Sequence, residues 1–302
     1  MQQRLPLYYH PIYTDGIHPA APFPKERYQK VHSGLIQRHA PVEIRTPLPA
    51  PLEAIAAVHC PEYIHRFMNL SLTEKEVRRI GLRPWTPALV ERTLMLTGGA
   101  LNALEALLQE GHRVAANMAG GTHHAHRDFG AGYCIFNDIA ICAKRAQSHF
   151  NIRQVLVVDL DVHQGDGTAS IFANDNTVFT FSMHCDANFP FRKTTSDLDV
   201  GLPKGTTDGL YLETLHTHLG SLVHVQPDLV FFQAGVDPLQ EDHLGRFNLS
   251  QEGLMERNKA VLDFARDLDI PCLVFMGGGY ARPIEHTVEA FINLFTQCST
   301  YA

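Results

Sequence analysis

Residues 155–167 read VLVVDLDVHQGDG, and how that stretch divides decides the fold. Val155 to Asp159 is a continuous β-branched and aliphatic run that ends in polarity, the pattern of a strand covered on both faces in a parallel sheet. Beyond it, Asp159, Asp161 and His163 alternate with Leu160 and Val162, so an extended backbone would project the three polar side chains to one side. A carboxylate and an imidazole so placed are suited to be two ligands of one divalent metal ion. Gly165 and Gly167, with Asp166 between them, are expected to let the chain turn tightly around whatever is bound. The plainer alternative is that Asp159 and Asp161 cap a helix over 167–172. Three aspartates and a histidine between Asp159 and Asp166 favour a site.

Outward from this stretch, the chain after residue 113 alternates apolar runs, polar loops and helical patterns. The runs are 114–118, 155–158, 178–182, 229–233 and 273–276. Helical spacing falls at 138–150, 210–223 and 250–268, with a last helix at 283–295. Such alternation predicts an α/β fold: one doubly wound domain over residues 1–302, its mostly parallel sheet covered by helices on both faces. Upstream, 4–9 is a short strand, 11–24 a loop, and 25–39 a helix with Tyr28, Val31, Leu35 and Ile36 on one face. The four prolines in 41–51 predict a surface connection. Helices at 52–58 and 61–70 lead through a polar turn to a long helix at 87–110, where Gly98 and Gly99 imply a close packing contact.

Composition removes several classes. The formal net charge is −7 and no dense Lys/Arg stripe is present, which argues against nucleic acid and suits a neutral or cationic substrate. No apolar run approaches the roughly eighteen residues of a membrane span. The N-terminal MQQRLPLYYH lacks the basic start and apolar middle of a signal peptide, so the cytoplasm is the expected compartment. The six cysteines are scattered without a C-x-x-C pair, which speaks against a zinc ribbon or a disulfide scaffold.

In open α/β sheets ligands bind beyond the carboxyl ends of strands. After Met118 comes Gly120-Gly121-Thr122-His123-His124; after Gln233, Gly235-Val236-Asp237; after Met276, Gly277-Gly278-Gly279-Tyr280. Each has a bland reading: exposed loop histidines, a turn start before Pro238, a packing tyrosine. Together with Asp161 and His163, four strand ends deliver His, Asp and Tyr to one edge, which chance explains poorly.

These residues also carry a resemblance. GGTHHA at 120–125, GYCIFND at 132–138, DLDVHQGDG at 159–167, SMH at 182–184, AGVDP at 234–238 and GGGY at 277–280 occur in the order found in zinc-dependent deacetylases of the histone deacetylase type. That superfamily also holds acetylpolyamine amidohydrolases and acetoin-utilisation proteins. PKERYQKVHSGL and VHCPEYI extend the likeness over nearly the whole chain, which looks closest to the small class IV branch and its bacterial relatives. The resemblance implies Asp161, His163 and Asp237 as ligands of Zn²⁺, or of Fe²⁺ or another divalent ion, since the set is rich in oxygen. It implies His124, backed by Asp166, as general base and then acid; His123, backed by Asp159, as its electrostatic partner; and Tyr280 as a hydrogen-bond donor to the substrate carbonyl. It places Gly132 and Tyr133 along a narrow substrate channel, with Phe189 or Phe191 opposite, and Arg27 where acetate leaves. A monovalent K⁺ or Na⁺ would sit behind the active strand, held by Asp159, Asp161, His163, Ser182 and Met183.

The activity so implied is removal of an acyl group from an amine, foremost N-ε-acetyl-lysine in a peptide or protein. Rivals are a longer-chain lysine deacylase, a deacetylase of small acetylated amines such as polyamines, and a non-catalytic acyl-lysine binding module. An arginase-like enzyme with two divalent ions shares the architecture and needs further carboxylates.

Overall fold

Val155–Asp159 is a strand buried along its whole length. It has parallel partners on both sides, with Val155 level with Val178 on one and with Leu229 on the other, as a run apolar on both faces requires. The computed structural model describes residues 4–302, so the first three residues of the N-terminal stretch lie outside it. The strands are β1 (Leu5–Tyr8), β2 (Val42–Arg45), β3 (Val114–Asn117), β4 (Val155–Asp159), β5 (Val178–Cys185), β6 (Leu198–Leu202), β7 (Leu229–Gln233) and β8 (Cys272–Phe275). They form one eight-stranded sheet in the order β2-β1-β3-β8-β7-β4-β5-β6, parallel at every pairing. The expected α/β doubly wound architecture is present, and the sheet is wholly rather than mostly parallel.

The helices are α1 (Ile12–Asp15), α2 (Glu26–Gln37), α3 (Leu52–Ala56), α4 (Pro61–Met68), α5 (Glu74–Ile80), α6 (Pro87–Gln109), α7 (Asp138–Phe150), α8 (Asp166–Phe172), α9 (Asp208–Leu222), α10 (Gln251–Asp267) and α11 (Glu285–Cys298). On one face α6 packs on β1, β3 and β8 and against α7; on the other α9, α10, α11 and α2 follow one another as neighbours. The glycine pair in α6 is needed for approach, as expected: a Cβ on Gly98 would lie 1.8 Å from the Leu48 carbonyl oxygen, and one on Gly99 2.3 Å from the Tyr13 hydroxyl.

Strand order sets the place of the site. β1 to β3 occupy one side of the sheet and β4 to β6 the other, while β7 and β8, last in the chain, fill the middle. β3, β8, β7 and β4 are therefore consecutive neighbours, and their carboxyl ends face one edge.

Several local expectations need correction. The proline-rich 41–51 holds β2, an edge strand whose Val42 and Ile44 alternate with Glu43 and Arg45; prolines on its flanks are compatible with an edge. β6 is likewise an edge strand, too polar to stand out as an apolar run. The polar turn before residue 87 contains α5, opened by a capping box of Thr73 and Glu76 and closed by Gly81 at φ 86°. The loop expected at 11–24 contains the single turn α1. The backbone after Asp159 bends instead of remaining extended. The Asp161 amide donates to Asp159 Oδ1 at 3.2 Å and the His163 amide to Asp161 Oδ1 at 3.0 Å, so the aspartates themselves fold the bend. A helix does follow at α8, but its first residue is flanked by Gly165 with no side-chain cap, so Asp159 and Asp161 do not cap it. Gly165 and Gly167 also act by size rather than by turning: Cβ atoms there would lie 2.3 Å from Asp159 Oδ2 and 2.4 Å from the Ala125 carbonyl oxygen.

Candidate metal centre and active site

Asp161 and His163 follow β4 and Asp237 follows β7, and one ligand atom from each lies within 4.8 Å of the others. His163 Nδ1 is 3.0 Å from Asp161 Oδ1 and 3.1 Å from Asp237 Oδ2. Those separations are close to the roughly 3.3 Å that bonds of 2.0–2.1 Å impose on neighbouring ligands of a tetrahedral ion. The remaining oxygens are occupied by backbone donors: Asp161 Oδ2 accepts from the Gly278 amide at 2.9 Å and Asp237 Oδ1 from the Val162 amide at 2.9 Å. Each carboxylate is thereby fixed with one oxygen turned to the cluster. All three residues are buried, and burial there calls for positive charge. Asp237 is raised by burial and by the charge of Asp161, while His163 rises to about 10 because its two carboxylate partners outweigh the opposing effect of burial. Two carboxylates and an imidazole, crowded and desolvated, fit a divalent cation.

His123 and His124, from the loop after β3, stand beside this cluster with ring centroids 4.1 Å apart. His123 Nδ1 lies 2.7 Å from Asp159 Oδ2, and His124 Nδ1 lies 2.6 Å from Asp166 Oδ1. The two environments drive the rings apart in basicity. Burial works to lower His123, but Asp159 and Asp161 raise it to about 9. Burial and the neighbouring His123 lower His124 to about 4, against the pull of Asp166. The two rings thus sit in unlike surroundings, His123 between two carboxylates and His124 against a neighbouring imidazole.

Tyr280, beyond β8, lines the same cavity of about 630 Å³ as both histidines and the three candidate ligands. Burial raises its phenol well above the usual range, which keeps it protonated, and among the described residues nothing hydrogen-bonds its hydroxyl. The glycines before it are not a flexible tether. A Cβ on Gly278 would lie 2.0 Å from Asp237 Oδ2, and one on Gly279 2.7 Å from Val236 Cγ2. Space, and for Gly277 a φ of 72°, demands them.

Gly132 at φ 53° and Tyr133 at φ 66° form the left-handed wall of the channel. A Cβ on Gly132 would meet His124 Cδ2 at 2.7 Å and Phe189 Cε1 at 3.2 Å, so the passage between Gly132 and Phe189 is narrow. Phe189 packs edge-on to His124 with centroids 4.9 Å apart. Of the two alternatives, Phe191 is 85% exposed and is not among the residues that line the cavity, whereas Phe189 is. Arg27 is buried at the inner end, where it donates to the carbonyl oxygens of Gly279 at 2.9 Å and Gly277 at 3.2 Å. Its Nε is buried with no partner among the described residues. Ser182 lies level with Asp159 across the β4–β5 ladder, and Ser182, Met183, Asp159, Asp161 and His163 are all buried.

Several residues that organise the site were not singled out from the sequence. Asp138 accepts from the Gly121 and Thr122 amides at 2.9 and 2.8 Å and so shapes the turn that carries both histidines. Gln233 donates to the Gly121 carbonyl at 2.7 Å. Asp242 accepts from the Tyr280 amide. His126 Nε2 lies 3.3 Å from Asp166 Oδ2, so that carboxylate serves two imidazoles. Arg257, fully buried, donates to the carbonyl oxygens of Ala234 and Gly235 behind Asp237. The GGTHHA and GYCIFND motifs were the available signals for the first of these.

A wholly parallel sheet with this edge cluster defines an α/β protein of the arginase/deacetylase type. A family model described as the histone deacetylase domain matches residues 21–295. The chain belongs to the histone deacetylase family. It is 44% identical over 289 residues to an uncharacterized protein of Picosynechococcus, covering 94% of each. It is 30% identical to histone deacetylase 2 of Arabidopsis thaliana, over 91% of this chain and 74% of the relative, and 30% identical to histone deacetylase 8 of Xenopus laevis, over 78% and 77%.

Proposed function

We propose that this chain is a metal-dependent hydrolase of N-acyl amides whose foremost substrate is N-ε-acetyl-lysine in a peptide or protein. The observation that carries the reading is the pair of carboxylate-backed histidines facing a three-residue ligand cluster in one cavity. Asp161, His163 and Asp237 would hold Zn²⁺, or Fe²⁺ or another divalent ion, which supplies Lewis acidity toward the amide carbonyl and an acidified water. His124 takes a proton from the attacking water and returns it to the nitrogen as the C–N bond breaks, giving a carboxylic acid and an amine, between which the acid proton then passes to leave carboxylate and ammonium. His123, held by Asp159, is the electrostatic partner that stabilises developing negative charge, and the Tyr280 hydroxyl donates to the carbonyl oxygen. Gly132, Tyr133 and Phe189 hold the extended side chain. Arg27, with an unused donor at the inner end, receives the acid product. A structural K⁺ or Na⁺ among Asp159, Asp161, His163, Ser182 and Met183 belongs to the same reading, as do a single catalytic domain over residues 1–302 and the cytoplasm as compartment. No described helix is long and apolar enough to cross a membrane.

The test is a substrate panel with zinc-reconstituted protein: acetyl-lysine peptide, fatty-acyl-lysine peptide and an acetylated polyamine. Fastest release of acetate from the peptide is expected. Binding of the peptides without turnover of any would replace the enzyme by a binding module, and a faster rate on the polyamine or the fatty-acyl peptide would reassign the substrate.

A further inference from the structure

The cavity that holds the candidate centre opens through a mouth of one charge. Its lining includes Arg78, Arg79 and Arg246 toward the surface, whereas its acidic lining residues, Asp161 and Asp237, are the candidate ligands at the floor. Arg78 and Arg79 come from the last turn of α5, and that turn is pinned to the channel wall: Gly132 donates to the Arg79 carbonyl at 3.2 Å and Tyr133 to the Ile80 carbonyl at 2.8 Å. Arg79 lies with its guanidinium carbon 4.4 Å from the Phe129 ring centroid. Arg246, which lines the same cavity, is held by a 2.8 Å bond from the Gly205 amide to its carbonyl. Arg78 has Glu74 at 3.2 Å, but neither Arg79 nor Arg246 has a carboxylate within ion-pair distance among the described residues. All three side chains are exposed and so free to meet a ligand.

We propose that this mouth selects substrates carrying negative charge next to the acylated amine, in particular acyl-lysine peptides with acidic flanking residues, and disfavours basic peptides and polyamines. The proposal rests on the reading of the site as an N-acyl amide hydrolase. It reverses the expectation drawn from the net charge of −7. Screening explains why: at physiological salt the Debye length is about 8 Å, so a ligand in the channel feels the guanidinium groups around it more than carboxylates spread over the rest of the surface. An exposed pair is worth about 1.5- to 5-fold in binding. Two free arginines acting together therefore give a discrimination of about tenfold between acidic and neutral flanks, and a larger one against basic flanks.

The experiment compares kcat and KM of the zinc-loaded full chain on peptides identical except for Glu, Gln or Lys on each side of acetyl-lysine. Expected is the order Glu, Gln, Lys in kcat/KM, carried mainly by KM, because contacts at the mouth are the same in ground and transition states. The spread should shrink in high salt and the order should invert in Arg79→Glu/Arg246→Glu. Each ratio is internal to one protein preparation, so partial unfolding of a variant does not alter it. Equal values for the three peptides, a preference for Lys, or an unchanged order in the double variant would overturn the proposal. Failure to hydrolyse any of them, the Gln peptide included, would overturn the hydrolase reading and this proposal with it.

Discussion

A single hydroxyl separates tyrosine from phenylalanine at position 280, and there it has no hydrogen-bond partner among the described residues, while the ring is packed by Phe23 and Tyr133. Tyr280→Phe should therefore leave the fold and substrate affinity nearly unchanged and lower turnover about a hundredfold, as loss of one oxyanion donor does. Turnover and the substrate dissociation constant measured side by side check this, and an undiminished rate removes the hydroxyl from the mechanism. His124→Ala should lower turnover by about a hundredfold to ten-thousandfold while metal content stays near normal; His163→Ala should lose both. Metal analysis beside kinetics separates these roles. Metal-binding and acid–base residue types announced themselves in the sequence because few other contexts bring Asp, His and Tyr to strand ends. Asp138 and Asp242 were not legible, because a buried carboxylate that accepts backbone amides looks in sequence like any surface aspartate. Phe189 could not be told from Phe191 because only the backbone between them decides which one turns inward.

At the scale of elements, α5 shows how a short helix can be decisive. Burial works to raise Glu76, but Arg66 and Thr73 more than reverse it and set it at about 2. A carboxyl depressed by folding stabilises above its unfolded value, near 4.5, and that contribution disappears as pH falls through the range down to about 2. Glu76→Gln should therefore lower Tm by about 1–2 °C near neutral pH, and the difference from the parent should close as the pH is taken toward 2. A gap that persists in acid would assign the loss to something other than the charge. The glycine loop after β8 gives a sharper case. In Gly278→Ala the new methyl would meet two carboxylates already fixed by backbone donors, so metal retention should fall sharply while the far-ultraviolet circular dichroism is preserved. Central strands were readable as apolar runs because both faces are covered; β2 and β6 were not, since an edge strand needs only alternate apolar residues and four positions carry little periodicity.

At the scale of the molecule, the sequence showed that strands and helices alternate, and hence a covered parallel sheet, but not the order of the strands. Order depends on which helix faces fit which strands, a property of packing across the whole chain. The observed order separates β3 from β4 by exactly the two strands that come last in the chain, as β8 pairs with β3 and β7 with β4. Residues 1–228 would then hold two three-stranded pieces with no ladder between them. A chain stopped after residue 228 should show no cooperative thermal transition and no zinc-dependent stabilisation; a sharp melt in calorimetry would contradict this. During synthesis, the inward edges of β3 and β4 emerge long before the strands that cover them, and both are apolar. Such edges recruit other chains. The last quarter of this polypeptide acts as a keystone, and until it leaves the ribosome the nascent protein carries two open seams.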